Sequence, residues 1–135
     1  MRHFTIKELS ITKSGITNVP GEVETNNLIQ LVDKILDPLR ELYGKPIKIN
    51  SGFRSKEVNE HIGGAATSQH CKGQAADITG GNKEENEKLF NLIKDNFVFD
   101  QLINEKDFSW IHVSYSTTRN RKQKLKFDGK KYTNI

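Results

Sequence analysis

At 135 residues, with 34% hydrophobic and 28% charged residues, the chain has the size and balance of one ordinary folded domain, and a disordered segment is excluded. A single cysteine rules out an internal disulfide, and no apolar run approaches the roughly 18 to 20 residues of a membrane span. The formal charge of +4 favours an anionic partner without choosing among nucleic acid, cell-wall polymer and acidic membrane.

The opening MRHFTIKELS carries early charge but neither an apolar central region nor a small-residue cleavage site, so no secretory signal is expected. Residues 26–43, NNLIQLVDKILDPLRELY, place Leu28, Ile29, Val32, Ile35, Leu36, Leu39 and Leu42 on one helical stripe, with Gly44 as the stop. Pro38 inside that stripe predicts a kink or a fresh first turn. PIKINSGF reads as a short strand running into a turn, and Ser55 is placed to cap a helix, SKEVNEHI, closed by Gly63 and Gly64. AADIT, residues 75–79, alternates as a strand. Asn82 with Glu85 spells a capping box for a helix reaching about Asn96, with Leu89, Phe90 and Ile93 inward. FDQLI and WIHVSY read as strands, and Asp128-Gly129 as a two-residue hairpin turn. This order predicts one α+β domain over residues 1–135, with helices packed on one side of a small, mainly antiparallel sheet; a monomer is expected.

Chemistry concentrates in SQHCKGQAAD, residues 68–77. His70 and Asp77 are too far apart for a ligand pair on one helix face, so loop and strand geometry must bring them together. In WIHVSY, alternation puts Trp110, His112 and Ser114 on the face opposite Ile111, Val113 and Tyr115. Asp77 likewise lies on the small-residue face of its own strand. If the two strands are neighbours, Asp77 and His112 converge with His70 arriving from the loop, a set of two imidazoles and a carboxylate suited to a catalytic Zn²⁺. Ser68 and Gln69 are candidates to hydrogen-bond ligands or substrate, Ser68 as the acceptor for a metal-bound imidazole. Cys71 reads as a half-buried structural side chain, Trp110 as core filler, and Gly63, Gly64 and Gly73 as turn residues.

The pattern Ser68-x-His70-x-x-Gly73-x-Ala75-x-Asp77, followed by Trp110-Ile111-His112-Val113, resembles the zinc peptidases of the D-alanyl-D-alanine carboxypeptidase and phage endolysin group. The similarity is strongest to that group's short phage sequences and continues through HFTIKEL, LDPLRELYGKPIKINSGFRS, GGAATSQH and FDQLI. It implies the α+β fold shared with hedgehog domains, and one Zn²⁺ held by His70, Asp77 and His112. It also implies that Arg54, in SGFRS, binds substrate or stabilises an oxyanion, as a guanidinium is able to do. Many relatives carry an acidic residue three positions before the last histidine, where this chain has Ser109. Asp107 is therefore the first candidate for the general base and Glu105 the second. The implied activity is hydrolysis of peptidoglycan stem or cross-link peptides, carboxypeptidase or endopeptidase, by a phage lysin kept in the host cytoplasm until release or carried on the virion. The alternative is an inactive zinc-binding module with a binding or virion-assembly role. Nucleic acid binding through the basic 119–131 tail is the weakest reading.

Overall fold

A computed structural model describes residues 1–135. The helical stripe is longer than its apolar pattern: α1 (Glu22–Leu31) and α2 (Asp37–Tyr43) are joined without a break by a wide π turn, Val32–Leu36. Pro38 explains that turn. It has no N–H to donate, and its ring would strike the carbonyl one turn back, so the backbone widens and Asp37 N–H bonds Val32 O instead. The helix therefore continues past the proline. Gly44 ends it with φ 76°. Leu28, Val32, Ile35, Leu36 and Leu39 are fully buried, whereas Leu42 is exposed at the end of the stripe.

Helix α3 (Lys56–His61) is capped by the Ser55 hydroxyl, which accepts from Val58 N–H. Asn82 caps α4 (Lys83–Asn96) by accepting from Glu85 N–H at 2.9 Å. The box is half made, because the Glu85 carboxylate turns to Tyr43, Lys45 and Lys88.

The strands are β1 (Lys48–Ser51), β2 (Ala75–Thr79), β3 (Gln101–Glu105), β4 (Trp110–Ser114), β5 (Gln123–Phe127) and β6 (Tyr132–Asn134). They form one six-stranded sheet in the order β1-β2-β4-β3-β5-β6, antiparallel except for the β3–β5 pair. The expected α+β architecture is thus found. Around Asp128-Gly129 the connection is longer than two residues: Phe127 pairs Tyr132, and the Asp128 carboxylate accepts from Lys130 and Lys131 N–H to hold the wider loop.

Alternation divides the sheet. Ala76, Ile78, Leu102, Ile111 and Val113 face the helices and join Leu89, Phe90, Ile93 and the long helix in a core cluster of 19 buried residues. The opposite face forms the floor of an open cleft of about 920 Å³.

Candidate metal centre

Sheet register builds the site. In the β2–β4 pair, Asp77 stands directly opposite His112, so both side chains project from one face. His70 arrives on a single 3₁₀ turn, Gln69–Lys72. Gly73 permits the reversal from that turn into β2: its φ is 73°, and a side chain there would meet the Glu24 carbonyl at 2.3 Å. The turn is locked to the SGFRS segment by two bonds, Arg54 N–H to His70 O at 3.1 Å and the His70 ring Nδ1 to Gly52 O at 2.7 Å.

The three donor groups converge on one oxygen. Asp77 Oδ1 is 3.4 Å from His70 Nε2 and 3.1 Å from His112 Nδ1, and all three ligand atoms lie within 4.8 Å of one another. Metal–ligand bonds of about 2.0–2.2 Å arranged tetrahedrally space neighbouring ligand atoms about 3.3–3.6 Å apart. The observed spacing fits a Zn²⁺-sized cation. Protonation fits as well: the Gly52 carbonyl accepts a hydrogen bond from His70 Nδ1–H, leaving Nε2 with its lone pair toward the cluster. Burial pushes the His70 imidazole below its usual range, against the pull of Asp77, so the neutral ligand form is favoured. Burial alone would raise the Asp77 carboxyl, but His70 and His112 outweigh it and hold the group well below the ordinary carboxylate range.

Asp77 Oδ2 serves a different partner. Arg54 NH2 lies 3.4 Å from it, while Arg54 Nε donates to Ser51 Oγ at 3.1 Å and NH1 to Asn59 Oδ1 at 3.4 Å. The guanidinium is thereby fixed beside the metal ligands and keeps N–H groups facing the cleft that it lines.

The two acidic candidates part company. Glu105 lies on β3 on the cleft face, paired with Trp110, two positions from the Ile103–His112 pair. Such diagonal neighbours are about 7–8 Å apart. It is 8% exposed and lines the cleft. Burial and then the Asp77 charge raise its carboxyl above the ordinary range, opposed by His112, Lys106 and Arg54. Asp107 does not line the cleft. Its side chain is 74% exposed and bonds Lys83 Nζ at 2.9 Å. The cause is a left-handed turn in which Lys106, Asp107 and Phe108 all have positive φ, from 47° to 59°, so strand alternation stops at Glu105.

Two further expectations change. The ring acceptor for His70 is the Gly52 carbonyl, whereas the Ser68 hydroxyl accepts from His70 backbone N–H and caps the turn. Trp110 is half-buried and lines the cleft instead of filling the core, as its alternation with Ile111 requires. Gln69 lines the cleft with its amide donating to Asp100 Oδ2 at 2.8 Å. Cys71 is half-buried, as expected. Asn59, Asn86 and Asp100 were not visible as site residues in the sequence. All three are buried polar side chains; Asn86 and Asp100 bridge segments far apart in the chain, whereas Asn59 ties Arg54 to Ala65 within its own stretch, and no local spacing marks any of these contacts.

A profile of the peptidase M15 family matches residues 2–114. The chain belongs to this family. It is also 45% identical over 83 residues to the "Zinc D-Ala-D-Ala carboxypeptidase" of Streptomyces albus G. That alignment covers 60% of this chain and 32% of the relative, so the chain spans about a third of the relative's length.

Proposed function

We propose that the chain is a zinc-dependent peptidase that hydrolyses peptide bonds in peptidoglycan stem or cross-link peptides. The observation that carries this reading is the convergence of His70, Asp77 and His112 on the floor of an open cleft that Arg54 and Glu105 also line. A Zn²⁺ held by the three ligands supplies Lewis-acid chemistry, polarising a carbonyl and acidifying a water. Glu105 accepts the proton of the attacking water and returns it to the leaving amine nitrogen, a double use suited to a carboxyl raised by burial. Arg54, held by Ser51, Asn59 and Asp77, orients the substrate through a peptide carboxylate or the developing oxyanion.

The carboxypeptidase relative supports a bond near a D-alanine terminus, and the net positive charge assists approach to an anionic wall. The finer reading is a lytic enzyme of the phage type, held in the host cytoplasm until release or carried on the virion. It rests on the resemblance to short phage sequences.

The decisive experiment measures zinc in the purified protein and in His70→Ala, beside release of new termini from purified peptidoglycan. One zinc per chain, lost together with cleavage in the variant, is expected. Zinc without cleavage by the parent chain would replace this reading with the binding module. Clearing of host cells by the added protein tests the lytic role.

A further inference from the structure

We infer that the cleft contains an anion subsite, formed by Arg119 with Lys72, that selects peptides bearing a free carboxylate away from the bond being cut. The inference rests on the peptidase reading for its substrate class, but its geometry is separate from the metal centre.

Four cations line the cleft: Arg54, Lys72, Arg119 and Arg121. Two of them are occupied. Arg54 faces Asp77. Arg121 forks onto Asp100, Nε to Oδ1 at 2.8 Å and NH2 to Oδ2 at 2.9 Å. Asp77 and Asp100 are thereby consumed, and the raised Glu105 carboxyl is the remaining acid of the lining. Arg119, Lys72 and Glu105 enter no ion pair, so the uncompensated side chains of the cleft are two cations and one carboxylate, a net positive excess.

Arg119 stands on an ordered loop. Ser116 N–H donates to Asn120 Oδ1 at 2.9 Å, Asn120 Nδ2 returns to Ser116 O at 2.8 Å, and Arg119 N–H donates to Ser116 Oγ at 3.3 Å. Arg121 N–H then anchors the loop to Asp100 Oδ1 at 3.0 Å. Lys72 ends the 3₁₀ turn that Gln69 begins. Because Gln69 also donates to Asp100, the Gln69–Asp100–Arg121 bridge couples the two cation-bearing segments to each other and to the His70 turn. The backbones that carry the two cations are thereby fixed, while their exposed side chains are free of protein partners and complementary in charge to an anion in the cleft. A cleft of about 920 Å³ has room for several residues beyond the reacting bond.

The test uses a pair of wall-type peptides identical except that one side-chain or α-carboxylate remote from the scissile bond is replaced by a carboxamide. The zinc-loaded parent is expected to prefer the carboxylate form by about tenfold in kcat/KM, the effect of one charge-assisted contact. In Arg119→Gln and, separately, Lys72→Gln, that ratio should fall toward unity, and in Arg119→Glu it should invert. Lys130→Gln removes one charge from the exposed β5–β6 loop, outside the cleft, and should keep the parent ratio. A parent ratio near unity overturns the subsite. So does an equal fall in Lys130→Gln, which would assign the preference to the general field of the molecule. If no peptide is cleaved, calorimetric binding of the same pair decides: a charge preference lost in Arg119→Gln upholds the subsite while the peptidase reading fails, and equal binding overturns it.

Discussion

Glu105 and Asp107 lie two residues apart, yet one is buried in the cleft and the other is in water against Lys83. Glu105→Gln should retain zinc but lose about 10²–10⁴-fold in kcat, the range for removal of a general acid–base group. Asp107→Asn should stay within about twofold of the parent, since its carboxylate makes only an exposed ion pair worth little. Equal losses in the two variants would refute the assignment of Glu105. Asn59 makes a second prediction at this scale. It holds Arg54 NH1 with its Oδ1 and the Ala65 carbonyl with its Nδ2. Asn59→Ala should cost about 0.5–1.5 kcal/mol of stability by removing one of the two hydrogen bonds to that carbonyl, which keeps the one from Ser68 N–H. It should also raise KM by about tenfold with zinc content intact, because a misaimed guanidinium loses substrate contacts. An unchanged KM would mean that Arg54 keeps its aim without Asn59.

Among the elements, the β3–β4 connection is braced by two buried asparagines, Asn86 and Asn104, the latter accepting from Phe108 N–H at 2.6 Å. Three consecutive non-glycine residues in the left-handed region cost about 1–3 kcal/mol each and persist only where other bonds enforce them. Asn86, buried on α4, provides much of that enforcement. Its Nδ2 donates to the Phe108 and Ser109 carbonyls, and its Oδ1 accepts from Thr79 Oγ1 and Gly80 N–H. Asn86→Ala should lower unfolding free energy by on the order of 3 kcal/mol and speed amide exchange around Phe108–Trp110 ahead of the β1–β2 pair. Uniform exchange across the sheet would argue against a local brace. The long helix was legible through its apolar stripe, and α4 through Asn82 and its inward Leu89, Phe90 and Ile93. The left-handed turn was not, because Lys106-Asp107-Phe108 contains no glycine and only Asp107 among the residues that favour positive φ, too little to announce three in a row.

For the whole molecule, two conditions should control stability. The metal ligands come from a 3₁₀ turn, β2 and β4, so binding ties together segments that unfolding separates. Chelation should lower Tm by on the order of 10 °C relative to protein with excess zinc, and zinc should restore it. No difference would count against a site assembled by the fold. Acid is the second condition. The hydrogen bonds from Arg121, against burial and with help from Gln69, hold the Asp100 carboxyl at about 2, below its ordinary 3.8. The folded state therefore favours the ionised form. Its contribution, about 2 kcal/mol, is fully present above pH 4 and is lost as the pH falls toward about 2. Asp100→Asn should be less stable at neutral pH and should show a flatter loss between those limits. An unchanged acid limb would remove Asp100 as the clamp between the His70 turn and the Arg121 loop.

Beyond the ligand set in SQHCKGQAAD and WIHV, which the family resemblance implied, the sequence by itself determined what repeats locally: the helical stripe and the alternation that sets His112 and Asp77 away from the apolar faces. These follow from backbone periods of 3.6 and 2 residues, which operate within a single segment. Tertiary structure alone decided that Asp77 is opposite His112, that Glu105 and not Asp107 faces the cleft, and that Arg119 and Lys72 are left with positive charge to offer. Register, turn handedness and side-chain bridges such as Gln69–Asp100–Arg121 are settled between segments 20 or more residues apart, and no local period encodes which of them will meet.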